Sequence, residues 1–82
     1  IVCIMNNKKG ELTSKFGKKL KMERTKKDYS QEKLSSLSNI SKNSISAIER
    51  GESIPSIETI EKLANALNMP VTELIDVSRV DL

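Results

Sequence analysis

Residues 30–51 read Ser-Gln-Glu-Lys-Leu-Ser-Ser-Leu-Ser-Asn-Ile-Ser-Lys-Asn-Ser-Ile-Ser-Ala-Ile-Glu-Arg-Gly, and the punctuation of this stretch decides the fold. Ser30 is a good helix N-cap, since its hydroxyl accepts from a free first-turn amide, and Glu32 puts a favourable negative charge beside the same helix end. A short helix is predicted over 31–38, with Leu34 and Leu37 supplying its buried positions. Asn39 breaks it, being a residue that accepts positive φ. Ile40 then serves as an apolar plug, Ser41 caps a further helix running to about Arg50, and Gly51 closes that helix.

Working outward, residues 13–27 are strong helix formers without proline. Leu12, Phe16 and Leu20 recur every four residues, so one thin apolar stripe is expected to face inward. Asp28 stands where a left-handed residue often ends a helix. Downstream, residues 52–55 read as a loop, with Pro55 as its breaker. Ser56 caps a helix in which Ile57, Ile60, Leu63, Ala64 and Leu67 follow a 3.6-residue period. Asn68 ends it, Pro70 opens the next element, and Val71, Leu74 and Ile75 form a short last helix. Nothing alternates with period two, so the expected fold is all-α: one compact domain of five helices in which the second and third carry the decisive stretch.

The 82 residues suffice for one small domain. With 37 % apolar and 30 % charged residues the composition is that of an ordinary globular chain. The absence of His and the single Cys3 speak against zinc sites, His-based acid–base chemistry, Cys–His nucleophiles and disulfide frameworks. The carboxylates are scattered over helical faces without a paired site, so an enzyme is not expected, nor is any metal, cofactor or small-molecule effector. The longest apolar run, Ile1 to Met5, is far short of the roughly 20 residues of a membrane span and lacks the marks of a secretory leader. A cytoplasmic protein with no membrane association is expected. Residues 1–12 are read as an irregular extension, in part vector-derived, with Met5 a candidate native start. Residues 13–77 are read as the domain and 78–82 as a tail, with no fused module expected beyond Leu82.

The net charge of +3 is unevenly distributed. From Lys8 to Lys27 nine basic residues face only Glu11 and Glu23, a local excess of +7, while the remainder carries five basic and nine acidic residues, or −4. Such asymmetry produces a field able to attract a polyanion, although a solvated lysine-rich helix explains it equally well.

Two short helices joined at Asn39 have the spacing of a helix–turn–helix. At about 100° per residue, Ile45 and Ile48 share one side of the third helix with Ser41 between them, and Asn43, Ser46, Ala47 and Arg50 occupy the opposite sector. That outward strip offers an amide, a hydroxyl, a methyl and a guanidinium, with no bulky apolar group. Asn43 suits adenine N6 and N7, Ala47 a thymine methyl, and Ser46 several bases. Lys42 suits guanine or a phosphate, while Arg50 and the helix amides near Gln31 suit phosphates. Ser44 joins this set, and for it and Ser46 the plain alternative is a solvated surface side chain.

Taken together, residues 30–34, 40–51, Pro55 to Ile60, Leu63 to Leu67 and Met69 to Leu74, with Phe16, Gly17 and Arg24 upstream, resemble the Cro/repressor-type (XRE-like) helix–turn–helix family over roughly residues 13–75. The resemblance implies five helices with the third in the major groove. It places a phosphate-anchoring glutamine at Gln31, recognition positions at Ser41, Lys42, Asn43, Ser46 and Ala47, and a backbone contact at Arg50. It also implies a structural ion pair between Arg24 and Glu49. Three positions depart from the family pattern: Ser35 replaces a usual alanine, Asn39 a turn glycine, and Ser38 a position that is often apolar.

The expected function is therefore sequence-specific binding of double-stranded DNA by a transcriptional regulator. A dimer on a palindromic operator is expected, because one domain supplies few base contacts. Val71, Leu74 and Ile75 are candidates for its interface, with closure of the core as the alternative role. The competing reading is a protein-interaction module, such as an antitoxin, that keeps the fold without reading DNA.

Overall fold

A computed structural model describes residues 10–80. The expectations for residues 1–9, Cys3 and Met5 among them, and for 81–82 concern residues outside that range. Among the described residues five helices follow one another: α1 (Glu11–Lys26), α2 (Gln31–Ser38), α3 (Lys42–Glu49), α4 (Ile57–Ala66) and α5 (Val71–Leu74). The described residues contain no strand.

The punctuation read from the sequence operates at each boundary. Ser30, Ser41 and Ser56 accept from the backbone amides of Lys33, Ser44 and Thr59, so α2, α3 and α4 each start on a side-chain cap. Asp28, Asn39 and Asn68 take positive φ (59°, 61° and 57°), and Gly51 sits at 76°. At Asp28, Gly51 and Asn68 a paired set of turn bonds satisfies the carbonyls that a helix end leaves free, as in Tyr29 N to Arg24 O and Glu52 N to Ala47 O.

Leu20, Leu34, Ile45, Leu63, Leu67 and Leu74 are fully buried and, with Phe16, Ile48 and Ala64, make one core drawing on every helix. Burial of each large side chain contributes about 1.5–3 kcal/mol.

The apolar stripes differ from expectation in four places. Helix α1 begins at Glu11 rather than Thr13 and so takes in Leu12, which is nonetheless 65 % exposed at an apolar groove. In α2 the inward line passes through Leu34 and Ser38, four apart, leaving Leu37 exposed. Ser38 is tolerated inside because its hydroxyl accepts from the amide of Ile40. Ile57, the first residue of α4, is exposed, and Val80, assigned to a tail, is buried. Glu23 lies on the buried line of α1, its carboxylate held by Lys19 at 3.1 Å and Lys26 at 3.5 Å.

Helix α1 grips the C-terminal end of α3 at two glycines. A Cβ on Gly17 would stand 2.2 Å from the carbonyl oxygen of Ile48, so only glycine permits this approach. At Gly51, positive φ coincides with a close approach to Ser14.

Candidate nucleic-acid interface

The two faces of α3 are set by its apolar residues. Ile45 and Ile48 are buried against the core, which turns Lys42, Asn43, Ser44 and Arg50 outward into solvent and leaves Ser46 and Ala47 half-buried between them. Ser41 is exposed rather than lying within the buried face: its hydroxyl caps α3 and also bonds to that of Ser44. The strip formed by Asn43, Ser46, Ala47 and Arg50 thus faces solvent along a helix of eight residues.

This helix is held at a defined angle by a charged cluster on its other flank. Glu49 accepts from Arg24 Nε at 2.7 Å and Nη2 at 3.1 Å, and from the Gln31 side-chain amide at 3.0 Å. Arg24 Nη1 donates to the carbonyl of Tyr29 at 2.7 Å. The side chains of Arg24 and Glu49 are only 13 % and 4 % exposed, and the hydrogen bond to Glu49 raises the Arg24 pKa still further. One cluster therefore ties α1, the turn before α2, the first residue of α2 and the end of α3 together.

The outer face carries its own pairs, which sequence reasoning missed. Lys42 Nζ lies 3.0 Å from Glu32 across the helix–turn–helix, and Arg50 Nη2 lies 3.1 Å from Glu52. Arg50 Nη1 also donates to the Ser46 hydroxyl. Hydrogen bonds from Lys42 and Arg50 hold the carboxyls of Glu32 and Glu52 below their usual pKa. The nearest sequence signal was Glu52, two positions after Arg50, whereas Glu32 lies ten positions before Lys42 in the preceding helix.

The candidates for self-association separate. Leu74 is wholly buried in the protein's own core and Val71 packs against that core, so Leu74 closes the fold and offers no surface. Ile75 is 46 % exposed. Together with Leu12, Phe16, Ile54, Ile60 and Val77 it lines an apolar groove of about 330 Å³. No helix among the described residues is long and apolar enough to cross a membrane.

A capped pair of short helices, the second with an apolar inner side and an outer side free of bulky apolar groups, defines a helix–turn–helix protein. The chain belongs to the helix–turn–helix family of the XRE type, whose family model matches residues 20–74. It is 33 % identical over 67 residues to the cryptic phage CTXphi transcriptional repressor RstR of Vibrio cholerae, covering 82 % of this chain and 60 % of that protein. It is 31 % identical over 70 residues to the uncharacterised HTH-type transcriptional regulator YgzD of Bacillus subtilis, covering 85 % and 89 %. The chain thus spans less than two thirds of the phage repressor and most of YgzD. Among solved structures it is similar to the restriction-modification controller protein C.AhdI of Aeromonas hydrophila, with a TM-score of 0.74 and 40 % identity over 76 % of this chain and 94 % of that one. The clp gene regulator ClgR of Corynebacterium glutamicum matches with a TM-score of 0.77 and 25 % identity over 82 % and 71 %.

Proposed function

We propose that this chain is a sequence-specific, double-stranded DNA-binding transcriptional regulator that acts in the cytoplasm as a dimer on a palindromic operator, with α3 in the major groove. The observation that carries the reading is the outward strip of α3, free of bulky apolar groups and backed by a hydrogen-bonded cluster at Glu49. The transcriptional regulators among its relatives support it.

In this reading Asn43 pairs with adenine, Ala47 meets a thymine methyl, and Ser46 adds an adaptable hydrogen bond. Ser41, Ser44 and Lys42 sit at the leading end of α3, where groove entry begins. Gln31, Lys42 and Arg50 contact phosphate and fix the register. Gln31 is already bonded to Glu49, so a phosphate held at that point is coupled directly to the end of the recognition helix. Two copies double the number of base contacts and match half-sites about one helical turn apart. Val71 and Ile75 remain in the proposed self-association surface, with Ile75 its exposed apolar member.

The test is selection of bound duplexes from a random pool, affinity of the selected duplex at two salt concentrations, and light scattering of the free protein. The proposal expects one enriched sequence with two related halves, steep weakening with salt, and a dimer at tens of micromolar. Absence of any enriched sequence, with a protein partner still captured, would favour the interaction-module reading. A monomer at that concentration counts against the dimer.

A further inference from the structure

Lys42 and Arg50, the two cations on the outer face of α3, each already hold a carboxylate of their own chain. Glu32 reaches from the first turn of α2 to Lys42, the first residue of α3, and Glu52 reaches back from beyond Gly51 to Arg50 at the helix end. The two pairs therefore bracket α3. All four side chains are more than half exposed, at 53 % and 68 % for the first pair and 54 % and 61 % for the second. Exposed pairs of this kind contribute little to folding. Two carboxylates on a face that meets a polyanion nevertheless carry a cost there, because each stays within a few ångströms of any phosphate its cation engages. Their effect thus falls on the binding face, and scarcely on stability.

We propose that Glu32 and Glu52 are intramolecular competitors for phosphate: they neutralise Lys42 and Arg50 in the free protein and set the affinity of the strip for the DNA backbone. This rests on the DNA-binding reading of α3 and adds a counter-charge to each of its ends. Because the competition is against phosphate, it acts on every duplex alike. Binding proceeds as each cation exchanges its carboxylate for a backbone oxygen, so the two acids lower the number of phosphates effectively neutralised. The charge asymmetry of the chain is consistent with such a brake, since the basic excess lies in residues 8–27 while the strip's own cations are balanced.

The experiment compares the full chain with Glu32→Gln, Glu52→Gln and Arg50→Ala on two duplexes of about 30 base pairs, long enough for two half-sites: the selected duplex and one of mixed sequence. Both glutamine variants are isosteric at exposed positions. Each is expected to tighten binding to both duplexes at low salt by roughly fivefold per half-site, about 25-fold for the dimer, the scale of one charge–charge contact in water per copy. Each should also steepen the slope of log K against log salt by about one per half-site, about two for the dimer. Unchanged or weaker binding by both glutamine variants overturns the proposal, and so does tightening confined to the selected duplex, which would mean that the acids read bases. Arg50→Ala separates the two levels: if it weakens binding while Glu52→Gln does not tighten it, the counter-charge fails and the interface stands. If Arg50→Ala changes nothing, Arg50 is not a phosphate contact and the counter-charge at that end of α3 falls, while binding of the selected duplex still decides the interface.

Discussion

Glu49 receives both Nε and Nη2 of Arg24, at 2.7 and 3.1 Å, across 25 positions of sequence. This forked contact joins the end of α1 to the end of α3, and the third bond from Gln31 leaves the carboxylate well satisfied. Arg24→Ala is expected to cost about 3 kcal/mol in urea unfolding, because it strands a nearly buried carboxylate. Arg24→Lys should recover only part, since an ammonium cannot reproduce the fork. A lysine variant as stable as the parent would show that charge alone holds the helices together.

The contact at Gly17 makes a second, purely steric prediction. Its Cβ would stand 2.2 Å from the Ile48 carbonyl oxygen, a backbone atom that moves only with α3 itself. Gly17→Ala is expected to destabilise the domain by about 1–3 kcal/mol despite the better helix propensity of alanine. Thermal unfolding followed by circular dichroism checks it, and a melting temperature equal to or above that of the parent would refute the close approach.

Glu23 gives a pH dependence with a definite sign. Burial pushes its carboxyl up, but the hydrogen bond from Lys19 and the charges of Lys19 and Lys26 outweigh this and leave it below the ordinary value. A pKa lower in the folded state than in the unfolded one contributes stability that is complete above the unfolded pKa of about 4.3. That contribution is lost as pH falls through the folded value. Glu23→Gln should therefore be less stable than the parent near neutral pH, with the gap narrowing below about pH 4. Denaturant midpoints across that range measure the gap, and a constant difference would exclude the linkage.

Much of this fold is legible from local chemistry, because its boundaries are set by single residues. Ser30, Ser41 and Ser56 cap the helices that follow them, and Asp28, Asn39 and Asn68 take the left-handed conformation that ends the preceding ones. Periodicity is weaker evidence near helix ends. It locates a face but not how completely that face is covered, and so Leu12 and Ile57 fit their stripes yet are largely exposed. In α2 the choice lay between two rows, Leu34 with Leu37 or Leu34 with Ser38, and the tertiary context chose the second. Composition favours the first, since nothing local announces that the Ile40 amide will satisfy a buried hydroxyl. The outward strip of α3 was readable because Ile45 and Ile48 orient so short a helix unambiguously. The acids that bracket it were not, because Glu32 meets Lys42 only once the turn at Asn39 has folded.

The outward strip of α3 is tested most directly by running the duplex selection in parallel with the parent chain and with Asn43→Ala. Asn43 is exposed at the leading end of α3, so its truncation leaves the core untouched. The account predicts an enriched sequence with two related halves for the parent. For the variant it predicts the same sequence with base preference lost at one position in each half. Recovery of an identical sequence with every preference intact would contradict it.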